Sequence, residues 1–378
     1  MNILIATDKF KDSLTALAVC EGLKTGIIQT FPEADCDILP LADGGEGTLE
    51  TLQAVLGGQF ITCTVHDPLF RKIEADYLWI PKTSTAIIEM ARASGIELLD
   101  VSERNCLQTS TLGTGELILD AIQKNAKKII LTVGGSATND GGIGMATALG
   151  YSFLDENKKV LKPIGENLIK IQSITQITHA VDLTKIQFTV ATDVINPFYG
   201  INGAAHVFAP QKGADHTAVE LLDEGLKNLS NLFEQFFRKN VQDLTGTGAG
   251  GGMGGGAVAF LNAEICSAAD WILEVTQIAQ KLQHTDLLIT GEGKIDNQSW
   301  QGKLISRLLA KANEHHVPTI LVCGTLQDPE QVIQQAGILY ATSILNEPMS
   351  LLNALSNAPK LIQEQGHLLG KLLRSMKL

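Results

Sequence analysis

At both ends of the chain, short apolar runs of β type alternate with segments patterned as amphipathic helices, and that alternation leaves few folds open. Near the start, strand-like residues 3–8, helix-like 15–29, strand-like 35–41 and helix-like 48–56 follow one another. Late in the chain the rhythm returns as helix 268–282, strand 286–290, helix 302–316, strand 318–324, helix 329–335, strand 338–344 and a final helix from Ser350. Crossover helices join parallel strands, so each end predicts part of one parallel sheet with helices on its faces. Between the ends the texture changes. Short alternating runs at 60–65, 73–80 and 86–90 suit antiparallel or mixed pairing. They precede helix 115–124, strand 128–133, helix 142–149, strand 186–191 and a long helical stretch over 217–238.

A chain of 378 residues exceeds what one hydrophobic core usually serves. The expected fold class is therefore α/β, with two α/β domains. Residues 1–70 and 245–378 would build a Rossmann- or flavodoxin-like parallel sheet from both chain ends, and 71–244 an inserted mixed α/β domain. The apolar fraction is 44%, and no apolar run nears the roughly 18 residues a membrane helix needs, so no membrane partner is expected. Met1 leads straight into a strand without room for a basic leader, which makes the cytoplasm the expected location. Six cysteines lack any C-x-x-C spacing and read as buried thiols. With a net charge of −12 and only short basic clusters, nucleic acid is not an expected partner. The oligomeric state is left open, an assembly of copies included.

Four glycine-rich segments carry the chemistry: Asp43-Gly44-Gly45-Glu46-Gly47-Thr48, Gly134-Gly135-Ser136-Ala137-Thr138-Asn139-Asp140-Gly141-Gly142, the tract from Gly246 to Gly256, and Thr290-Gly291-Glu292-Gly293-Lys294-Ile295-Asp296. Glycine lets backbone N–H groups approach an anion, and a neighbouring acid can hold a metal ion or take a proton. That combination suits phosphoryl transfer. Lys9, Lys11 and Ser13 follow the first strand, where ligands dock in open α/β sheets, although Ser13 would also serve simply as a helix N-cap. Asp140 would hold Mg²⁺ or stabilise its own loop. Asp193 ends another strand, while Glu292 and Asp296 follow an apolar one and precede Lys303; these three are candidates for general base or metal ligand. The stretch Gly246-Thr247-Gly248-Ala249-Gly250-Gly251 satisfies G-x-G-x-x-G, but no β-run precedes it, so close passage of backbone against a nucleotide or another helix is the better reading than a dinucleotide site. A Walker A sequence, a G-x-S-x-G elbow and histidines at metal-ligand spacing are all missing.

Together these segments resemble the bacterial type of glycerate kinase. The resemblance runs in order through 8–14, 41–48, Ile88-Glu89-Met90-Ala91, 111–117, 134–142, 193–197, Pro210-Gln211-Lys212-Gly213-Ala214, and 290–296 with Gln298, Gly302 and Lys303. It departs at Thr7, where proline is usual, at Asp12, at Gly255-Gly256, and at Arg92, where a small residue is usual. The resemblance implies ATP- and Mg²⁺-dependent phosphorylation of D-glycerate on the 2-hydroxyl. On that reading Lys9, Asp193, Glu292 and Asp296 are the catalytic candidates. Lys11, Ser13, the segment 43–48, Gly134, Gly135, Ser136, Thr138, Asn139 and Lys303 would bind substrate or phosphate, and Asp140, Asp193 and Glu292 are the metal candidates, in a site expected between the two domains. The rivals are a nicotinamide-dependent hydroxy-acid oxidoreductase, suggested by the glycine tract, and a two-domain binding protein for small acids.

Overall fold

Ile3 and Ile5 face one side of the strand Asn2–Ile5, while Leu4 and the following Ala6 face the other. All four are at most 2% exposed, so the strand has to be covered on both faces. The computed structural model describes residues 1–45, 47–176, 182–296, 299–300, 303–327, 329–335 and 337–376. In it, Asn2–Ile5 lies between Asp35–Ile38 and Leu287–Thr290. Thr319–Cys323 and the edge strand Ile338–Ser343 follow, all of them parallel. Counted by appearance within this sheet the order is 2-1-3-4-5, the flavodoxin-like arrangement.

On one face of that sheet the helix Ala16–Thr30 packs against Leu351–Ser375 through Val19, Leu23 and Ile27 on one side and Leu361, Ile362 and Leu369 on the other. The two helices meet backbone to backbone. A Cβ on Gly26 would stand 2.1 Å from the carbonyl oxygen of Gln363, so no larger residue fits there. The helices Ala268–Val275 and Leu304–Glu314 cover the opposite face. These elements form one unit made of Met1–Asp43, Glu50–Gly57 and Ala268–Leu378.

The second unit comprises Gly44–Leu49 and Gly58–Ser267. Its six-stranded sheet runs Glu264–Cys266, Gln187–Ala191, Lys128–Thr132, Thr85–Glu89, Lys72–Ile80, Gln59–His66. The first four strands are parallel and the last two antiparallel, which makes the sheet mixed. Domain limits placed at 70/71 and 244/245 shift accordingly. Gln59–His66 pairs along its whole length with Lys72–Ile80, and Glu264–Cys266 pairs with Gln187–Ala191, so both strands lie in the second sheet.

Three local expectations also change. The helix expected over 268–282 is two, Ala268–Val275 and Ile278–Leu282, parted where Gln277 turns left-handed. The glycine tract becomes the helix Ala249–Leu261, with positive φ at Gly250, Gly251 and Gly252. The hairpin Tyr151–Leu154 with Ser173–Gln176 has no counterpart in the sequence reading. Among the described residues no helix is long and apolar enough to cross a membrane.

Candidate functional site

In a 2-1-3-4-5 sheet the chain turns one way after the first strand and the other way after the second, which opens a crevice at the C-terminal ends of strands one and three. Here those ends carry Asp8-Lys9 and Glu292. The Asp8 N–H donates to the Gly291 carbonyl at 2.9 Å and the Leu41 N–H to the Thr7 carbonyl at 3.0 Å, which sets Asp8, Asp43 and Glu292 along one sheet edge. Asp8 is only 7% exposed. Burial, and then the negative charge of Asp43, push its carboxyl well above the ordinary range. Glu292 is also raised, mainly by burial, against the opposing effect of a hydrogen bond from Ser299 and the charge of Lys303. Lys303 is exposed at the N-terminal boundary of the helix Leu304–Glu314, and Lys9 is half-buried beside Asp8.

Other predicted residues of this unit are engaged elsewhere. Asp296 Oδ2 lies 3.0 Å from Lys294 Nζ, and the Asp296 N–H donates to Ser299 Oγ. Lys11 is exposed. The Ser13 hydroxyl donates to the Leu355 carbonyl, and the helix cap expected of Ser13 is supplied by Thr15, whose Oγ1 accepts the Ala18 N–H. Glu46, Gln298 and Gly302 lie outside the described residues.

In the second unit the structure brings two of the glycine turns together. A Cβ on Gly134 would come within 3.3 Å of the Gly44 carbonyl and 3.4 Å of Gly45 Cα. The 44–48 turn is closed by Thr48, whose hydroxyl donates to the Gly45 carbonyl at 2.6 Å. It is anchored from below by Glu89, 2% exposed, whose Oε1 accepts the Leu49 N–H at 2.9 Å. Arg92, at the position where a small residue is usual, donates through Nε to Glu89 Oε2 at 3.1 Å and sits 3.6 Å from Asp76, so its charge balances a buried acid.

The 134–142 turn is held at every step. The Ile96 N–H reaches the Gly135 carbonyl, the Ala137 N–H reaches the Ser94 carbonyl, and the Thr109 hydroxyl reaches the Ala137 carbonyl. Asp140 is fully buried and accepts from the N–H groups of Thr111, Gly142 and Gly144 and from the Thr111 hydroxyl. Burial raises its pKa against those four bonds. With its oxygens occupied inside the protein, Asp140 stabilises the loop, which corrects its reading as a metal ligand. Beneath the turn, Lys212 Nζ donates to Ser136 Oγ at 2.7 Å and to the Thr138 carbonyl at 2.8 Å. Asp193 follows the neighbouring strand and accepts from Ser267 Oγ at 2.8 Å. Among the described residues no three groups of metal-ligand type cluster closely enough to hold an ion by themselves.

Asp8, Glu89 and Lys212 were not on the list of expected site residues. Each lies inside a segment that carried the resemblance, Asp8 after a strand, Glu89 at the end of one and Lys212 at the end of a short helical turn; a charged residue among apolar neighbours was the available signal.

Comparison with known proteins identifies the family. The Glycerate kinase family profile matches residues 3–374. A protein from Escherichia coli (strain K12) named glycerate 2-kinase is 39% identical, covering 91% of this chain and 91% of its own. A glycerate kinase from Halalkalibacterium halodurans is 38% identical over 96% of this chain and 95% of its own. A crystal structure from Salmonella typhimurium LT2, whose proposed identity is glycerate kinase 2, superposes with a TM-score of 0.88 at 35% identity, covering 100% of this chain and 99% of that one.

Proposed function

Because the chain belongs to the Glycerate kinase family, we propose that it transfers the γ-phosphoryl group of ATP to the 2-hydroxyl of D-glycerate, giving 2-phosphoglycerate and ADP. The observation that carries this reading is the family match over nearly the whole chain; the fold alone would not, since one fold hosts many chemistries. The relative named glycerate 2-kinase motivates the choice of hydroxyl. Cytoplasmic residence is part of the same proposal.

Phosphoryl transfer asks mainly for positioning, charge neutralisation and one base for the attacking hydroxyl. Asp8 is assigned as that base: burial beside Asp43 raises its proton affinity, and a general base works best when its pKa approaches the working pH. Lys9 and Lys303 neutralise the anionic oxygens of the substrates. Backbone N–H groups of the 44–48 and 134–142 turns hold phosphate, as consecutive N–H groups in left-handed turns do. Asp43 and Glu292 suit Mg²⁺, which takes one or two carboxylates beside phosphate oxygens, and the mutual repulsion of these acids with Asp8 is what a divalent cation would relieve. The ion would supply charge neutralisation to the phosphates.

The test is incubation of the protein with ATP, Mg²⁺ and D-glycerate, followed by ADP assay and identification of the phosphoglycerate isomer by NMR. ADP and 2-phosphoglycerate in equal amounts are expected. Formation of 3-phosphoglycerate would overturn the regiochemistry, and reduction of NAD by glycerate without ADP would overturn the whole reading.

A further inference from the structure

Lys212 is 3% exposed, in a protein where a lysine normally keeps its ammonium in water. It stands at the end of the short helical turn Pro210–Lys212, and its ammonium is used entirely on one neighbour, the 134–142 turn. That turn is costly to hold. Thr138 and Asn139 are both 0% exposed, and Thr138 Oγ1, Asn139 Oδ1 and Asn139 Nδ2 have no hydrogen-bond partner among the described residues. Three unpaired buried polar atoms on consecutive residues are unusual, because such groups find partners in nearly all native structures. A turn left to itself would rotate to satisfy them. Two contacts from Lys212 on either side of Ala137, together with Asp140 at the far end, prevent that.

We propose that Lys212 is a positioning residue for phosphoryl transfer: from beneath the 134–142 turn it fixes Ser136 and Thr138, and it lends the turn positive charge to present to an anionic phosphate. This rests on the reading of that turn as a phosphate cradle. A charge-assisted hydrogen bond is roughly twice as strong as a neutral one, so the protonated amine holds the turn better than the free amine. Burial pulls the Lys212 pKa down to about 8, and Cys106 and Asp140 are the titratable groups that face it. Cys106 stays a thiol through this range, since burial raises its own pKa to about 11. Burial pushes Asp140 up against its four hydrogen bonds. With its pKa at about 8, Lys212 loses its charge on going from pH 7 to 9.

The experiment is steady-state kinetics of Lys212→Met, Ser136→Ala and Thr138→Val against wild type, with ATP varied at saturating D-glycerate and Mg²⁺, from pH 6.5 to 9.5. Methionine fills the space without the charge, and replacing buried charge by an apolar residue of similar size tends to preserve stability. For Lys212→Met, kcat/KM for ATP should fall about 10²-fold, the scale of a small misplacement of reacting groups. The fall of wild-type kcat/KM above about pH 8 should vanish in this variant, a change that lost packing alone would not produce. Should Lys212→Met fail to fold, Ser136→Ala tests the same contact with the charge retained: KM for ATP rises several-fold and the alkaline limb stays. Thr138→Val separates the two levels of inference. If it leaves KM for ATP unchanged, the phosphate-cradle reading falls and the proposal with it. If it raises KM while Lys212→Met or, failing that, Ser136→Ala behaves as wild type, the proposal alone falls.

Discussion

Asp8 carries a conflict between stability and chemistry that a single substitution separates. Its folded pKa lies above the unfolded value of about 3.9, so between the two values the folded state keeps a proton that the unfolded state has lost. The stability this contributes is complete below the unfolded value and is lost as the pH rises through the folded one. At pH 7 that contribution is diminished, so Asp8→Asn should raise Tm by a few degrees while kcat falls about 10²-fold or more, the usual loss for a general base. The Tm gain should disappear when the melt is run at pH 3. Asp296→Asn makes the contrasting case. Its carboxylate is paired with the exposed Lys294, so turnover should stay within about threefold of wild type, because such surface pairs contribute little. A 10²-fold fall for Asp296→Asn, with Asp8→Asn unaffected, would exchange their assignments. At this scale the sequence marks segments, while the surroundings of each side chain come only with the fold. Asp140 and Ser13 stand in suggestive motifs, but only the fold reveals that four internal donors surround the first and that the second spends its hydroxyl on Leu355, nearly the whole chain away.

At the level of elements, the helix Ala249–Leu261 shows why glycine-rich sequence misleads. Glycine weakens helices by about 1 kcal/mol each relative to alanine, and local propensity therefore argues against this one. It forms because Met253, Ala257 and Phe260 are buried in the core of the second unit, and because the missing side chains let it lie on the 138–142 turn. Gly251 has φ +70° and a Cβ there would stand 2.0 Å from the Thr138 carbonyl. Gly251→Ala should therefore cost roughly 3 kcal/mol or more, by strain and by displacement of that turn, measured by urea denaturation. Any protein that still folds should show a raised KM for ATP; an unchanged Cm and KM would contradict the packing argument. The elements read correctly were those with strong periodicity and long runs, such as His216–Phe237, expected over 217–238. Those missed are short or paired at a distance: the three residues of Glu264–Cys266 carry too little pattern to be read without their partner Gln187–Ala191.

For the molecule as a whole, the alternation at the two chain ends was enough to indicate a parallel sheet assembled from both, but not where that sheet stops, since strand Gln59–His66 looks alike whichever neighbour it joins. The cysteine reading is open to a direct check. All six cysteines stand outside any disulfide, with Cys20, Cys36, Cys106 and Cys323 buried and their pKa values raised by burial. Native protein should expose at most two thiols to a disulfide reagent at pH 8 within minutes, and six in denaturant; four or more fast native thiols would contradict the buried assignment. The order of strands has a consequence for how the protein is made. Ile3 pairs with Leu287 and Ile5 with Ile289, so the central strand of the first sheet emerges from the ribosome early and meets one of its neighbours only when most of the chain has been synthesised. The Gly58–Ser267 region, whose strands pair among themselves, is synthesised in between. Translation therefore leaves an apolar strand with an open edge waiting through the longest part of synthesis, the condition under which nascent chains depend most on chaperones.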